Sequence, residues 1–196
     1  MDQTDRWLGP VAILVPVKAF AEAKVRLAPA LRSAARAALA EAMATHVLAA
    51  AGGLPVAVVC DDPGVAAWAR QLGALVVWEP GRGLNGAVDA GVAHLASAGV
   101  ERVIVAHADL PLADGLADLD IGEGITLVPD RRDDGTNVAC IPSASGFKFA
   151  YGPGSFARHC AEAGRLELPL HVIRDPRLSF DVDLPADLAG LNLDPR

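Results

Sequence analysis

Residues 11–17 read VAILVPV, a run with no charge and with apolar side chains at both the odd and the even positions. Side chains of an extended chain alternate between two faces, so such a run must be covered on both sides, as strands of a helix-flanked parallel sheet are. The pattern recurs at PVAVVC (55–60), ALVVWEP (74–80) and RVIVAHADLP (102–111). Between these runs lie helical stretches: 33–51, rich in Ala and stopped by Gly52 and Gly53; 65–72, stopped by Gly73; and 84–98, stopped by Gly99. Ser33 is a plausible N-cap, and the glycines are the expected stops. Alternating strand and helix predicts an α/β sandwich with crossover helices on a mostly parallel sheet.

Beyond Pro111 the pattern changes. A Gly- and Asp-rich stretch, 114–124, leads to ITLVPD (125–130), NVACIP (137–142) and FKFAYG (147–152), then to a short helix over 155–163 and the strand-like LHVIRD (170–175). Strands following one another without long helices predict an antiparallel addition, hence a mixed sheet. With 196 residues the chain is expected to form one domain, with a nucleotide-binding half over about 11–111 and an acceptor-binding half over about 112–196.

Composition narrows the function. At 52% hydrophobic and 21% charged the chain reads as globular, with no apolar run of transmembrane length. The start, MDQTDRWLGP, lacks the basic and apolar regions of a secretory signal, so a cytoplasmic location is expected. Cys60, Cys140 and Cys160 are widely spaced and odd in number, which suits reduced thiols. A net charge of −7 argues against a nucleic-acid surface. Any phosphate must therefore be held by a few well-placed cations.

Three features fall at carboxyl ends of predicted strands, where open α/β sheets bind ligands. The loop PVKAFAEAKVRLAP (16–29) carries Lys18, Lys24 and Arg26. It matches neither the Walker nor the dinucleotide fingerprint, and it reads either as a solvated basic loop or as a grip for a polyphosphate. VIVAHADLP (103–111) delivers Asp109 to a strand end, where a magnesium ion bridging phosphates would be held; His107 reads as packed. SFDVDLPADL (179–188) places Asp181 and Asp183 at i and i+2, on one face if the stretch is extended. With Asp109 these give three carboxylates for one or two divalent ions.

Two further stretches read as acceptor contacts. DDGTN (133–137) is a turn before a strand. YGPGSFARH (151–159) puts glycines and Ser155 before a helix whose free N–H groups favour an anion, with Arg158 close behind. Asn85 and the Cys60-Asp61-Asp62 strand end are candidates for reading a base.

Together PVKAFAEAKVRLAP, GLNGAVDAG (83–91), HADLPL (107–112), VPDRRDDGTN (128–137), FKFAYGPGSFARH (147–159) and FDVDLPADL (180–188) resemble the 2-phospho-L-lactate guanylyltransferase family. That family includes the phosphoenolpyruvate guanylyltransferases of deazaflavin coenzyme F-420 biosynthesis. The resemblance runs across nearly the whole chain. It implies a single three-layer α/β/α domain with a Rossmann-like nucleotidyltransferase fold, GTP as co-substrate, Mg2+ as metal, and a phosphorylated three-carbon acid as acceptor. By position, it assigns acceptor contacts to Thr136, Gly152 and Ser155, metal carboxylates to Asp109, Asp181 and Asp183, and the triphosphate grip to Lys18, Lys24 and Arg26. The loop lacks the glycines of the molybdenum-cofactor relatives, and Ala108 stands where some members carry Gly.

The expected reaction is transfer of GMP from GTP to phosphoenolpyruvate or 2-phospho-L-lactate with release of pyrophosphate. Alternatives are 3-phospho-D-glycerate as acceptor, a metal-dependent glycosyltransferase-like enzyme, and a non-catalytic nucleotide-binding module. A homodimer is left open.

Overall fold

A computed structural model describes residues 9–191. The expectation drawn from the first residues of the chain lies largely outside that range. Seven strands form one mixed sheet: β1 (Val11–Pro16), β2 (Val56–Cys60), β3 (Leu75–Trp78), β4 (Arg102–Ala106), β5 (Ile125–Pro129), β6 (Thr136–Pro142) and β7 (Leu170–Val172), in the order β3-β2-β1-β4-β6-β5-β7. The first four strands are parallel, as their two-sided apolar runs require. β6 runs antiparallel to both β4 and β5, and β7 returns parallel to β5. The expected antiparallel addition is thus a single reversed strand.

The helices α1 (Ser33–Ala49), α2 (Pro63–Gln71), α3 (Gly83–Ser97) and α4 (Ser155–Arg165) cover the two faces. Ile13, Val15 and Val17 pack with Ala44 and Val47 of α1 and with Val65 and Trp68 of α2. Ala12 and Leu14 point the other way, toward Val88, Val92 and Leu95 of α3, in a cluster that also takes Ala163 of α4. Gly91 permits the close approach of α3 to β1, because a Cβ there would lie 2.7 Å from a Leu14 methyl. No helix among the described residues is long and apolar enough to cross a membrane. Cys60, Cys140 and Cys160 are all free thiols.

Two local expectations change. Ser33 is the first residue of α1, and Arg32 occupies the cap position without a side-chain cap. FKFAYG forms no strand. It is extended, with Phe147, Phe149 and Tyr151 buried on alternate positions, but its N–H groups bond to side chains instead of a neighbouring strand. Lys148 N donates to Glu162 Oε1 at 2.9 Å, Phe149 N to Asp89 Oδ1 at 3.4 Å, Ala150 N to His159 Nε2 at 2.9 Å and Tyr151 N to Asn85 Oδ1 at 2.7 Å. The acceptors belong to α3 and α4, so the segment is clasped between helices. It starts near Pro142, opposite Arg102 at the amino end of β4, and delivers Gly152 to the carboxyl end of the sheet.

Candidate active site

The cleft at the carboxyl ends of β1 and β4 has a volume of about 580 Å³ and is lined by Lys18, Lys24, Arg26, Met43, His107, Asp109, Gly152 and Asp183 among others. Three elements build it. The loop after β1 folds into two short 3-10 turns, Phe20–Glu22 and Val25–Leu27. β4 ends at Ala106 and leads into His107 and Asp109. The Asp181–Asp183 segment closes the side. Leu27, Met43 and Val182 form a small buried cluster that fastens the loop, α1 and that segment together. Apolar residues set between charged ones thereby hold the charges at the rim.

Lys24 is the electrostatic centre. Its Nζ lies 2.5 Å from Asp109 Oδ2 and 3.0 Å from Asp183 Oδ1. Burial disfavours its charge, but the carboxylates of Asp109 and Asp183 outweigh burial and raise its pKa above that of an ordinary lysine. Burial likewise opposes ionisation of Asp109, and Lys24 overcomes it, so the Asp109 pKa is lowered. To reach this position Lys24 adopts a left-handed backbone, φ 56°, which is uncommon for a residue with a side chain. Arg26 is more peripheral, 72% exposed and 3.5 Å from Asp183 Oδ2. Lys18 lines the cleft and is exposed.

Asp181 and Asp183 do not form a strand, and their surroundings differ. Asp183 is partly exposed and paired with cations. Asp181 is buried, its Oδ1 has no hydrogen-bond partner, and its pKa is pushed up to about 6 by burial and by the charges of Asp109, Asp183 and Asp130. Among the described residues no three His, Cys, Asp or Glu side chains are gathered tightly enough to hold an ion. What stands between Asp109 and Asp183 is Lys24.

Buried polar atoms without partners concentrate at this place. They include Asp109 Oδ1, Asp181 Oδ1, His107 Nε2 and the Tyr151 hydroxyl. Folded proteins rarely leave such groups unpaired, and a cluster of them marks a surface made to meet something else. The two carboxylate oxygens suit a hard cation, for which oxygen is the preferred donor. His107 packs against Tyr151 with ring centroids 4.7 Å apart, and burial lowers its pKa.

The expected acceptor residues also meet. Thr136 opens β6, and its N–H donates to Ser155 Oγ at 3.0 Å. Ser155 is the first residue of α4, and Gly154 in a left-handed conformation takes the cap position. Gly152, φ 117°, accepts the Ser155 N–H at 3.0 Å. Thr136 and Ser155 are buried and do not line the cleft, whereas Gly152 does. Arg158 is otherwise engaged: its guanidinium donates to the carbonyls of Ala150, Gly152 and Pro153, tying the loop to the helix. Asn85 is held by the Tyr151 N–H through its carbonyl.

Several supporting residues were not singled out from the sequence. Asp187, 4% exposed, accepts the N–H groups of Asp183 and Leu184 at 2.8 Å each and pairs with Arg131 at 2.6 Å. Arg131 also donates to the Asp181 carbonyl at 3.3 Å and lies over the Phe180 ring. Part of the signal was present: Pro185 and Asp187 occupy the first and third positions of a short helix, and an acid at the third position reaches back to the cap N–H, here that of Leu184, whose own side chain accepts nothing. Asp134, in the hairpin between β5 and β6, accepts the Gly154 N–H at 3.0 Å and so sets the start of α4. His159 bridges Thr136 and Ala150 from inside the fold.

The chain is similar to known proteins in sequence and in fold. A phosphoenolpyruvate guanylyltransferase of Sphaerobacter thermophilus is 37% identical over 187 residues, covering 91% of this chain and 90% of its own. One from Conexibacter woesei is 39% identical over 191 residues, covering 91% and 85%. A solved structure from Desulfovibrio desulfuricans, provisionally described as a nucleotide-diphospho-sugar transferase, superposes with a TM-score of 0.75 at 17% identity, covering 94% of this chain and 89% of its own; it bears on the fold alone. The model of the family described as "Guanylyl transferase CofC like" matches residues 11–194, and the chain belongs to that family.

Proposed function

We propose that the chain transfers GMP from GTP to phosphoenolpyruvate, or to 2-phospho-L-lactate, and releases pyrophosphate, as a step toward coenzyme F-420. The carrying observation is the cleft itself. Cations on the β1 loop and carboxylates from two other elements line one cleft at the carboxyl end of the sheet with Gly152, and Thr136 and Ser155, at the starts of β6 and α4, hydrogen-bond to each other. Relatives named phosphoenolpyruvate guanylyltransferase at 37% and 39% identity support the same reading.

A phosphate oxygen of the acceptor attacks the α-phosphorus of GTP, a new P–O–P linkage forms, and the bond to the β-phosphate breaks with its electron pair leaving on pyrophosphate. The acceptor phosphate is already an anion at neutral pH, so no residue need remove a proton. The chain's task is to bring two polyanions together. Lys18, Lys24 and Arg26 would neutralise the triphosphate and the departing pyrophosphate. Thr136, Ser155 and the backbone at Gly152 would hold the phospho-acid. Asp109, Asp181 and Asp183, which are not drawn close enough to hold an ion by themselves, would hold Mg2+ together with the phosphates, and the unpartnered Oδ1 atoms of Asp109 and Asp181 are suited to it. When bound, the ion would supply charge neutralisation at the phosphates. Asn85, by its remaining amide, and Arg158 are weaker candidates for substrate contact.

The test is pyrophosphate release from GTP with phosphoenolpyruvate, 2-phospholactate and 3-phosphoglycerate supplied singly and in competition. Release that depends on phosphoenolpyruvate or 2-phospholactate is expected. Nucleotide binding without turnover on any acid would refute the assignment.

A further inference from the structure

His159 is fully buried in a box of aromatic rings, with centroids of Phe147, Phe149 and Tyr151 at 5.5, 5.9 and 5.0 Å. Its two nitrogens have one polar partner each. The Ala150 N–H donates to Nε2 at 2.9 Å, and Nδ1 lies 2.9 Å from Thr136 Oγ1. A backbone N–H can only donate, so Nε2 must be the bare, accepting nitrogen. The neutral imidazole then carries its proton on Nδ1, and that N–H points at Thr136. The opposite tautomer would set two N–H groups against each other. Burial, followed by the charge of Arg158, lowers the His159 pKa to about 4, which keeps the ring neutral.

The consequence reaches the hydroxyls. Thr136 Oγ1 accepts from Nδ1–H, and Ser155 Oγ accepts from the Thr136 N–H at 3.0 Å. Each oxygen has one acceptor site taken by a protein N–H, and neither hydroxyl hydrogen has an acceptor among the described residues. We propose that His159 is a positioning residue for the acceptor: held as the Nδ1–H tautomer by Ala150, it fixes Thr136 as a hydrogen-bond donor toward an anionic phospho-acid. The inference rests on the reading that Thr136 contacts that acid.

The geometry can be tested without any variant. Long-range proton–nitrogen correlation spectra of the 15N-labelled protein should show His159 with a protonated Nδ1 and a bare Nε2 between pH 6 and 8. A protonated Nε2 overturns the proposal. Two variants test the function. In His159→Asn the amide stands near the place of Nδ1 and can still donate to Thr136; in His159→Gln it reaches toward the place of Nε2 instead. Asn should keep the KM for phosphoenolpyruvate within about threefold, and Gln should raise it about tenfold, with the KM for GTP unchanged in both. The reverse ranking, which a purely structural role in holding Ala150 would give, overturns the proposal. In a Thr136→Val background the penalty of Gln should vanish, because the two residues act as a unit. If Thr136→Val alone leaves the KM for phosphoenolpyruvate untouched, the acceptor reading fails and the positioning role with it, whereas the tautomer seen in the spectra would still stand.

Discussion

Asp181→Asn should stabilise the metal-free protein while abolishing turnover. Asp181 is 8% exposed, and its carboxyl is pushed from 3.8 to about 6 by burial and by neighbouring carboxylates. A shift of that size penalises the ionised folded state by about 3 kcal/mol as an upper value. Screening at the edge of a wet cleft reduces this to about 1–2 kcal/mol. The sign follows from proton counting. Between about pH 4 and pH 6 the folded protein holds a proton on Asp181 that the unfolded chain has lost, so stability attributable to this group falls as pH rises through that window. Asparagine keeps the shape and carries no charge. In EDTA at pH 8 the variant should melt about 2–8 °C above wild type, and the gap should close toward pH 4. Thermal unfolding by circular dichroism at pH 4, 6 and 8, paired with a pyrophosphate-release assay at saturating Mg2+, measures both effects. A variant less stable than wild type at pH 8, or a gap independent of pH, would refute the electrostatic reasoning. Retained turnover would refute the metal assignment.

Lys24→Met should leave Asp109 and Asp183 without their shared cation, destabilising the metal-free protein by roughly 3 kcal/mol. Mn2+ without nucleotide should restore much of that loss and bind more tightly than to wild type; melting that ignores Mn2+ would count against a cation site here. Asp187→Ala removes the acceptor of the Asp183 and Leu184 N–H groups, and the Mg2+ concentration for half-maximal turnover should rise about tenfold, as read from metal titrations at fixed GTP. Gly91→Ala drives a methyl to within 3.0 Å of both Leu14 methyl carbons and should cost about 1–2 kcal/mol in urea unfolding while KM values hold.

The parallel half of the fold was legible because its signals are local. Two-sided apolar runs such as VAILVPV and helices ended by glycines need no knowledge of distant partners. The part beyond Pro111 was harder. FKFAYG has the alternation of a strand, and the structure does extend it, but its partners are side chains from sequence positions as much as 66 residues away. The Asp-x-Asp segment was read as two equivalent carboxylates. Lys24, Arg131 and Asp187 make them unequal, one paired at the rim and one buried without a partner. Arg158 was read as an anion contact from its place near a helix start, a position that cannot reveal that three loop carbonyls occupy its guanidinium. The sequence places His159 beside Arg158 in the first turn of that helix and gives it no role, because its importance lies in which nitrogen bears a proton, and that depends on a backbone amide nine residues upstream.

The clasped segment from Lys148 to Tyr151 also has a bearing on the order in which the molecule assembles. Its amides can be protected only after α3, made some sixty residues earlier, and α4, made just afterward, have both docked. Sheet formation by itself leaves them open to solvent. Their exchange with heavy water is therefore a separate clock, recording the seating of the two helices while the strand amides record the sheet. Gly152 and Ser155 follow directly in the chain, so the pocket proposed for the phospho-acid should be complete only once α4 is seated and should open when α4 loosens.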